Sequence, residues 1–60
     1  MGERYIGQVL TLNEGLPEGS GHVKLGNRRW RLRGPQVPAG ARVRITGVDG
    51  TILIVDRLPG

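Results

Sequence analysis

Residues 41–57, "ARVRITGVDGTILIVDR", contain the pattern that decides the fold of this chain. Apolar and polar residues alternate along 41–48, and a nearly continuous apolar run occupies 51–55 of the second half, so both halves predict β-strands. Asp49 and Gly50 lie between the two halves and form a strong two-residue hairpin signal. The stretch therefore predicts an antiparallel hairpin close to the C-terminus.

Glycines inside two of the predicted strands indicate points where the chain bends. Val43 and Ile45 are two residues apart, but the next apolar residue, Val48, is three residues further on, as one inserted residue beside Gly47 would require. Gly7 lies inside the first predicted strand and is a second candidate for a bulge or coiling point. Such bends let short strands wrap around a common core.

Three further segments have the composition of short strands bounded by turn residues. Gly26 and Asn27 predict a two-residue turn between the second and third strands. Two prolines in "GPQVPAG" exclude an ordinary helix between the third and fourth strands. The five predicted strands comprise residues 5–12, 21–25, 28–33, 41–48 and 51–57.

Five short strands with internal glycines predict an all-β fold, a small closed Greek-key barrel of the OB type. In this barrel a loop at 34–40 replaces the helix that usually connects the third and fourth strands. An SH3-like barrel is the main structural alternative. The predicted organisation is an N-terminal extension at 1–4, the OB-like barrel at 5–57 and a C-terminal tail at 58–60.

The length and composition limit what else the chain can contain. At 60 residues it is one small domain, and a domain of this size buries only about 60% of its unfolded surface. It has no cysteine and one histidine, so we predict no disulfide, no metal site and no cofactor. No apolar run approaches the roughly 20 residues that cross a bilayer, and no signal peptide is visible.

The residues that catalysis needs are nearly absent, so we predict that the domain is not an enzyme. Ser20 is the only serine and His22 the only histidine, and no carboxylate is placed to orient the histidine. His22 is better explained as a solvated strand residue next to an inward-facing Val23. "EGLPEGSGH" contains glycines but lacks the Lys-Ser/Thr ending of a phosphate-binding loop.

The most charged stretch, "RRWRLRG" at 28–34, raises the question of where its arginines point. The two-residue period of a strand places Trp30 and Leu32 on the inner face and the arginines between them on the outer face. Seven basic residues and no acid occur between positions 24 and 44, while all 5 acids lie outside this interval. The net charge is +4. We therefore expect a basic outer surface around a buried tryptophan.

In an OB-like strand order, the fifth strand lies between the third and the fourth. If Leu53 and Val55 point inward, Ile52 and Ile54 point outward, between two rows of arginines. Exposed isoleucines framed by arginines would form a protein-binding patch, whereas arginine stems lying over them would form a self-covered wall. The candidate interaction face consists of Arg29, Arg31, Arg33, Arg42, Arg44, Ile52 and Ile54.

Over most of its length, the sequence resembles the C-terminal soluble domain of NfeD-like membrane proteins. No single motif is specific, but the ordered set over nearly the whole chain is. The matching stretches are "YIGQVLTL" at 5–12, Gly21 to Val23, Gly26 to Trp30, and Gly40 to Val55.

The resemblance implies a compact five-stranded OB-like barrel that follows transmembrane helices in its parent protein. It also implies partnership with stomatin, prohibitin or flotillin-like scaffold proteins in membrane organisation or quality control. The expected location is the cytoplasmic face of the bacterial inner membrane. Longer members of the family add a ClpP-like protease domain, but no catalytic residue of the barrel is known, so none is carried over.

Three functions follow from these observations as hypotheses. The first is a non-enzymatic module that binds a scaffold protein, or itself, through the Arg/Ile face. The second is an OB-fold domain that binds nucleic acid, which the positive charge favours and the absence of exposed aromatics disfavours. The third is a basic surface that lies against anionic lipid beside a membrane anchor, and it is compatible with the first.

Overall fold

The chain folds into one β-sheet with two short 3₁₀ turns. The computed structural model describes residues 1–59, and Gly60, the last residue of the predicted tail, lies outside the described residues. No helix among residues 1–59 has the length and apolar character that a bilayer crossing requires. The strands are β1 (Val9–Leu12), β2 (Ser20–Leu25), β3 (Arg28–Arg33), β4 (Ala41–Asp49) and β5 (Ile52–Arg57), and the 3₁₀ turns are Glu3–Tyr5 and Pro17–Gly19.

The strand order is that of an OB-like fold, as the sequence predicts. The 5-stranded sheet runs β1-β4-β5-β3-β2, so β5 lies between β3 and β4. All neighbouring strands are antiparallel except β3 and β5, which are parallel. The predicted turn at Gly26-Asn27 lies at the end of the β2–β3 pair. The turn between β4 and β5 is Gly50-Thr51, one residue later than the predicted Asp49-Gly50, because Asp49 still pairs with Ile52. Residues 34–40 form a loop without a helix, as predicted.

A β-bulge bends β4 at the predicted place. Ile45 pairs with Val55, but Gly47 pairs with Ile54, so Thr46 is the additional residue of the longer strand. The Thr46 hydroxyl donates a hydrogen bond to the Ile54 carbonyl oxygen across the bulge (3.4 Å). The bulge increases the local twist, which helps the long β4 strand to pair with β1 and β5 in a curled sheet.

The sheet curls into a half-barrel rather than closing, and the first strand is shorter than predicted. Of the segment 5–12, only Val9–Leu12 is a strand. Gly7 precedes it at a φ of 97°, in a turn where its N–H donates to the Ile45 carbonyl oxygen (2.7 Å). β1 has 4 residues and pairs with β4 alone, and no β1–β2 pairing occurs within residues 1–59.

The hydrophobic core lies inside the half-barrel and is closed at one end by two loops. Leu16 and Val37 form an isolated bridge there, and both are buried. Trp30 is only 4% exposed, so the prediction that it belongs to the core is confirmed. The buried core residues are Leu10, Leu12, Leu16, Leu25, Trp30, Leu32, Val37, Val43, Ile45, Leu53 and Val55.

Candidate functional site

The arginines of β3 form an exposed row on the outside of the half-barrel. Burial alternates strictly along 29–33, with Trp30 and Leu32 buried and the three arginines between and beside them exposed. This is the arrangement that the two-residue period predicts. The arginines of the stretch "RRWRLRG" are therefore a solvated outer wall, and its tryptophan is a core residue.

The outward residues of β5 lie directly beside this row. Leu53 and Val55 are buried, and Ile52 and Ile54 point outward. Ile52 pairs with Arg31 and Ile54 with Arg33 in the parallel register. The two isoleucines are half-buried, which lies between the exposed patch and the self-covered wall that the sequence left open. Neighbouring strands flank them on both sides, and long arginine stems commonly cover such apolar surface.

On the β4 side, the isoleucines are not framed by arginines as expected. The residues opposite Ile52 and Ile54 are Asp49 and Gly47, and Arg44 lies opposite Asp56. The two-residue turn at Gly50-Thr51 and the bulge set this register, which places Arg42 and Arg44 further along β4. The structure thus separates the predicted face into two parts, one centred on β3 and β5 and the other on β4.

We call the first part the basic wall, which consists of Arg29, Arg31, Arg33, Ile52 and Ile54. We call the second part the β4 arginine pair, which consists of Arg42 and Arg44. One ion pair links the basic wall to β4, between an Arg33 guanidinium nitrogen and an Asp49 carboxylate oxygen at 3.7 Å. Both side chains are more than half exposed, so this pair contributes little to stability. No other arginine of either part forms an ion pair within residues 1–59.

Two residues of β2 extend the basic wall and were not included in the predicted face. His22 lies opposite Arg31 and Lys24 opposite Arg29, and both are exposed. These cross-strand neighbours could have been predicted from the two-residue turn at Gly26-Asn27, because the turn fixes the register of the β2–β3 hairpin. A shallow depression of about 460 Å³ lies on this surface, lined by His22, Arg28, Arg29, Arg31, Thr51 and Ile52.

The aromatic residues lie at one end of the half-barrel, away from the basic wall. The rings of Tyr5 and Trp30 meet edge to face with centroids 5.8 Å apart. The Arg28 guanidinium lies 4.7 Å from the Trp30 ring centroid, and that of Arg4 lies 5.0 Å from the Tyr5 centroid. Neither ring shares the outer face with the basic wall, because Trp30 is a buried core residue and Tyr5 lies in the N-terminal 3₁₀ turn, so neither is placed to stack a base beside those arginines.

Ser20 and His22 are both exposed on β2, an edge strand. Among residues 1–59, no three His, Cys, Asp or Glu side chains come together in a group that could hold a metal ion. The chain's amino group donates a hydrogen bond to Glu3 and holds the pKa of that carboxyl below its usual value. Glu3 belongs to the N-terminal turn and not to the basic wall.

These features define an OB-like domain whose distinctive surface is a set of exposed arginines beside half-buried isoleucines. The chain belongs to the family of NfeD-like C-terminal, partner-binding domains, whose model matches residues 2–57. Among solved structures, it is similar to the C-terminal domain of stomatin operon partner protein 1510-C from Pyrococcus horikoshii. That structure has 31% sequence identity and a TM-score of 0.77, over 97% of this chain and 94% of that chain. The comparison with curated proteins gave no match.

Proposed function

We propose that this domain is a non-enzymatic protein-interaction module, the soluble part of an NfeD-like membrane protein. In that role it works with scaffold proteins of the stomatin, prohibitin or flotillin type, in membrane organisation or membrane-protein quality control. Two comparisons support the proposal. The family is one of partner-binding domains, and a structurally similar protein is described as a stomatin operon partner.

The proposed binding surface is the basic wall. The observation that carries this proposal is the pairing of Arg31, which has no ion-pair partner within residues 1–59, with a half-buried Ile52. Arginine is enriched at protein interfaces because its planar guanidinium binds carboxylates in bidentate geometry and its stem packs on apolar groups. The charge of the wall favours a partner with an acidic surface, mainly through faster association and specificity.

The β4 arginine pair is proposed to serve a separate contact. Arg42 and Arg44 lie on β4, beyond the isoleucines, where β1 and β5 flank them. In a parent protein anchored at the cytoplasmic face of the inner membrane, these arginines could meet anionic lipid. Each basic residue close to such a surface contributes about 1 kcal/mol of binding free energy. Lipid contact through β4 would leave the basic wall open to a protein partner.

The arrangement favours a protein partner over nucleic acid. OB-fold domains bind oligonucleotides on the face of strands two and three together with the adjoining loops. Here the loop before β2 contains Glu14 and Glu18, and the β4–β5 turn begins at Asp49. Three carboxylates around the expected path would repel phosphates, and Trp30 is buried. Binding that depends on the arginines alone would be weak and strongly dependent on salt.

The test is calorimetric titration of the domain with the soluble part of a stomatin-like protein from the same organism. Arg31→Glu reverses one charge of the basic wall, and Ile54→Glu places a negative charge at an apolar position of the wall. We expect either substitution to weaken binding at least about tenfold. Arg4→Glu changes charge by the same amount at the aromatic end and should alter binding by less than about twofold. Equal losses from Arg31→Glu and Arg4→Glu would reject the basic wall as the binding surface.

A further inference from the structure

The free edge of β2 lies next to the basic wall. The sheet order ends at β2, whose only partner in residues 1–59 is β3. This edge strand has 6 residues, whereas β1 at the other edge has 4. An uncovered edge presents unpaired N–H and C=O groups and is a template for another strand. Proteins commonly protect such edges, so a six-residue edge beside a charged surface requires a physical explanation.

The register identifies the backbone groups that face the free edge. In an antiparallel pair, alternate residues exchange hydrogen bonds. The Gly34 N–H donates to the Gly19 carbonyl oxygen (3.0 Å), so the odd-numbered residues of β2 bond to β3. The even-numbered residues therefore face outward from the sheet edge. The Ser20 N–H is already bonded to the Pro17 carbonyl oxygen, which leaves the N–H groups of His22 and Lys24.

The surroundings of this edge provide room for a strand and indicate its chemistry. A groove of about 420 Å³ runs between the two edge strands, lined along β2 by residues 20–24 and at its loop end by Glu14. On the inner face of β2, Val23 is only half-buried because no strand covers it. On the outer face, the neighbours of β2 are the arginines of β3.

From this geometry we infer that the domain binds its protein partner by strand addition at the free edge of β2. The bound segment is extended and alternates acidic and apolar residues. Its acidic side chains lie on the outer face, next to Lys24 and one strand away from Arg29 and Arg31, and its apolar side chains cover Val23. Main-chain hydrogen bonds to His22 and Lys24 supply affinity, and the alternating side chains supply specificity. The inference rests on the proposed function, since it specifies how that partner is held.

The probe is a capped peptide of about eight residues that alternates glutamate and valine, a typical strand length. Its control contains the same residues in two blocks, with all glutamates before all valines, so its charge is identical. The readout is amide hydrogen exchange of the domain, measured residue by residue by NMR with and without peptide. We expect the alternating peptide to slow exchange at His22 and Lys24 at least about tenfold. The block peptide should produce no such protection.

A pair of substitutions isolates the backbone group. His22→Pro removes the N–H on the free edge, and His22→Ala removes only the side chain, so proline should weaken peptide binding about tenfold more than alanine.

Peptide binding without protection of His22 and Lys24, or equal binding of both peptides, would overturn strand addition and leave the basic wall as a purely electrostatic surface. Absence of peptide binding would also overturn it, while the titration with the stomatin-like protein decides the proposed function separately. Because the exchange experiment uses the unmodified chain, it decides the matter even if His22→Pro fails to fold.

Discussion

Arg31 and Ile52 are direct partners in the parallel pairing of β3 with β5, although 20 residues of sequence separate them. The pairing exists because β5 inserts between β3 and β4, which is the feature that makes the strand order OB-like. It places a guanidinium without an ion-pair partner in residues 1–59 beside a half-buried aliphatic side chain. This pair is the centre of the proposed binding surface.

The two faces of β5 should respond differently to truncation. Leu53 is completely buried, so Leu53→Ala should reduce the free energy of unfolding by about 3 kcal/mol or more. Ile54 is half-buried on the outer face, so Ile54→Ala should cost about 1 kcal/mol. Urea denaturation followed by circular dichroism measures both. Equal losses would mean that the outer face of β5 belongs to the core.

The central hairpin of the fold was predictable because its signals are local. The Asp49-Gly50 signal predicts the turn to within one residue of its position at Gly50-Thr51, and the spacing around Gly47 reveals the bulge that the register confirms. The length of β1 was not predictable in this way. Residues 5–8 have strand-like composition, but Gly7 adopts a left-handed φ that only its tertiary contact with the Ile45 carbonyl oxygen makes evident.

The candidate site was predictable in composition but not in arrangement. The alternation around Trp30 correctly placed the β3 arginines outside. The position of the β4 arginine pair depends on the register between β4 and β5, which the bulge shifts, and a one-residue change of register alters every cross-strand neighbour. The half-burial of Ile52 and Ile54 likewise depends on side chains contributed by other strands.

Charge reversal on the basic wall should leave the fold intact. Arg31 is exposed and has no ion pair within residues 1–59, so Arg31→Glu should change the free energy of unfolding by less than about 0.5 kcal/mol. Arg33→Ala, which removes the exposed pair with Asp49, should cost less than about 1 kcal/mol. Thermal denaturation of both variants provides the measurement. A loss of several kcal/mol in either would show that the arginine is structural.

Two glycines offer a matched test of backbone packing. A Cβ on Gly34 would lie 2.5 Å from the Val55 carbonyl oxygen and 2.8 Å from its Cγ2 atom, so Gly34→Ala must displace β5. We expect a cost of about 3 kcal/mol, at the upper end for overpacking. Gly40 has a φ of 87° but open space around it, so Gly40→Ala should cost about 1 kcal/mol from backbone strain alone. If urea denaturation shows that Gly40→Ala lowers the free energy of unfolding more than Gly34→Ala does, the packing of Gly34 against β5 is contradicted.

The fluorescence of Trp30 should report a core residue. With 4% of its surface exposed, it should emit at short wavelength and resist quenching by acrylamide. Addition of single-stranded DNA at physiological salt should leave the emission unchanged, because the ring is not available for stacking. Red-shifted emission that DNA quenches would mean that β3 turns its aromatic residue outward, and the nucleic-acid hypothesis would replace the present one.

The most direct test of the basic wall is an NMR titration of the isotopically labelled domain with the soluble part of a stomatin-like protein. We predict that the backbone amide shifts of Arg29, Arg31, Arg33, Ile52 and Ile54 change together as the partner saturates. Amides at the aromatic end, such as those of Arg4 and Tyr5, should change much less. Shift changes confined to the aromatic end or to the β4 arginine pair, with the basic wall unaffected, would contradict the account.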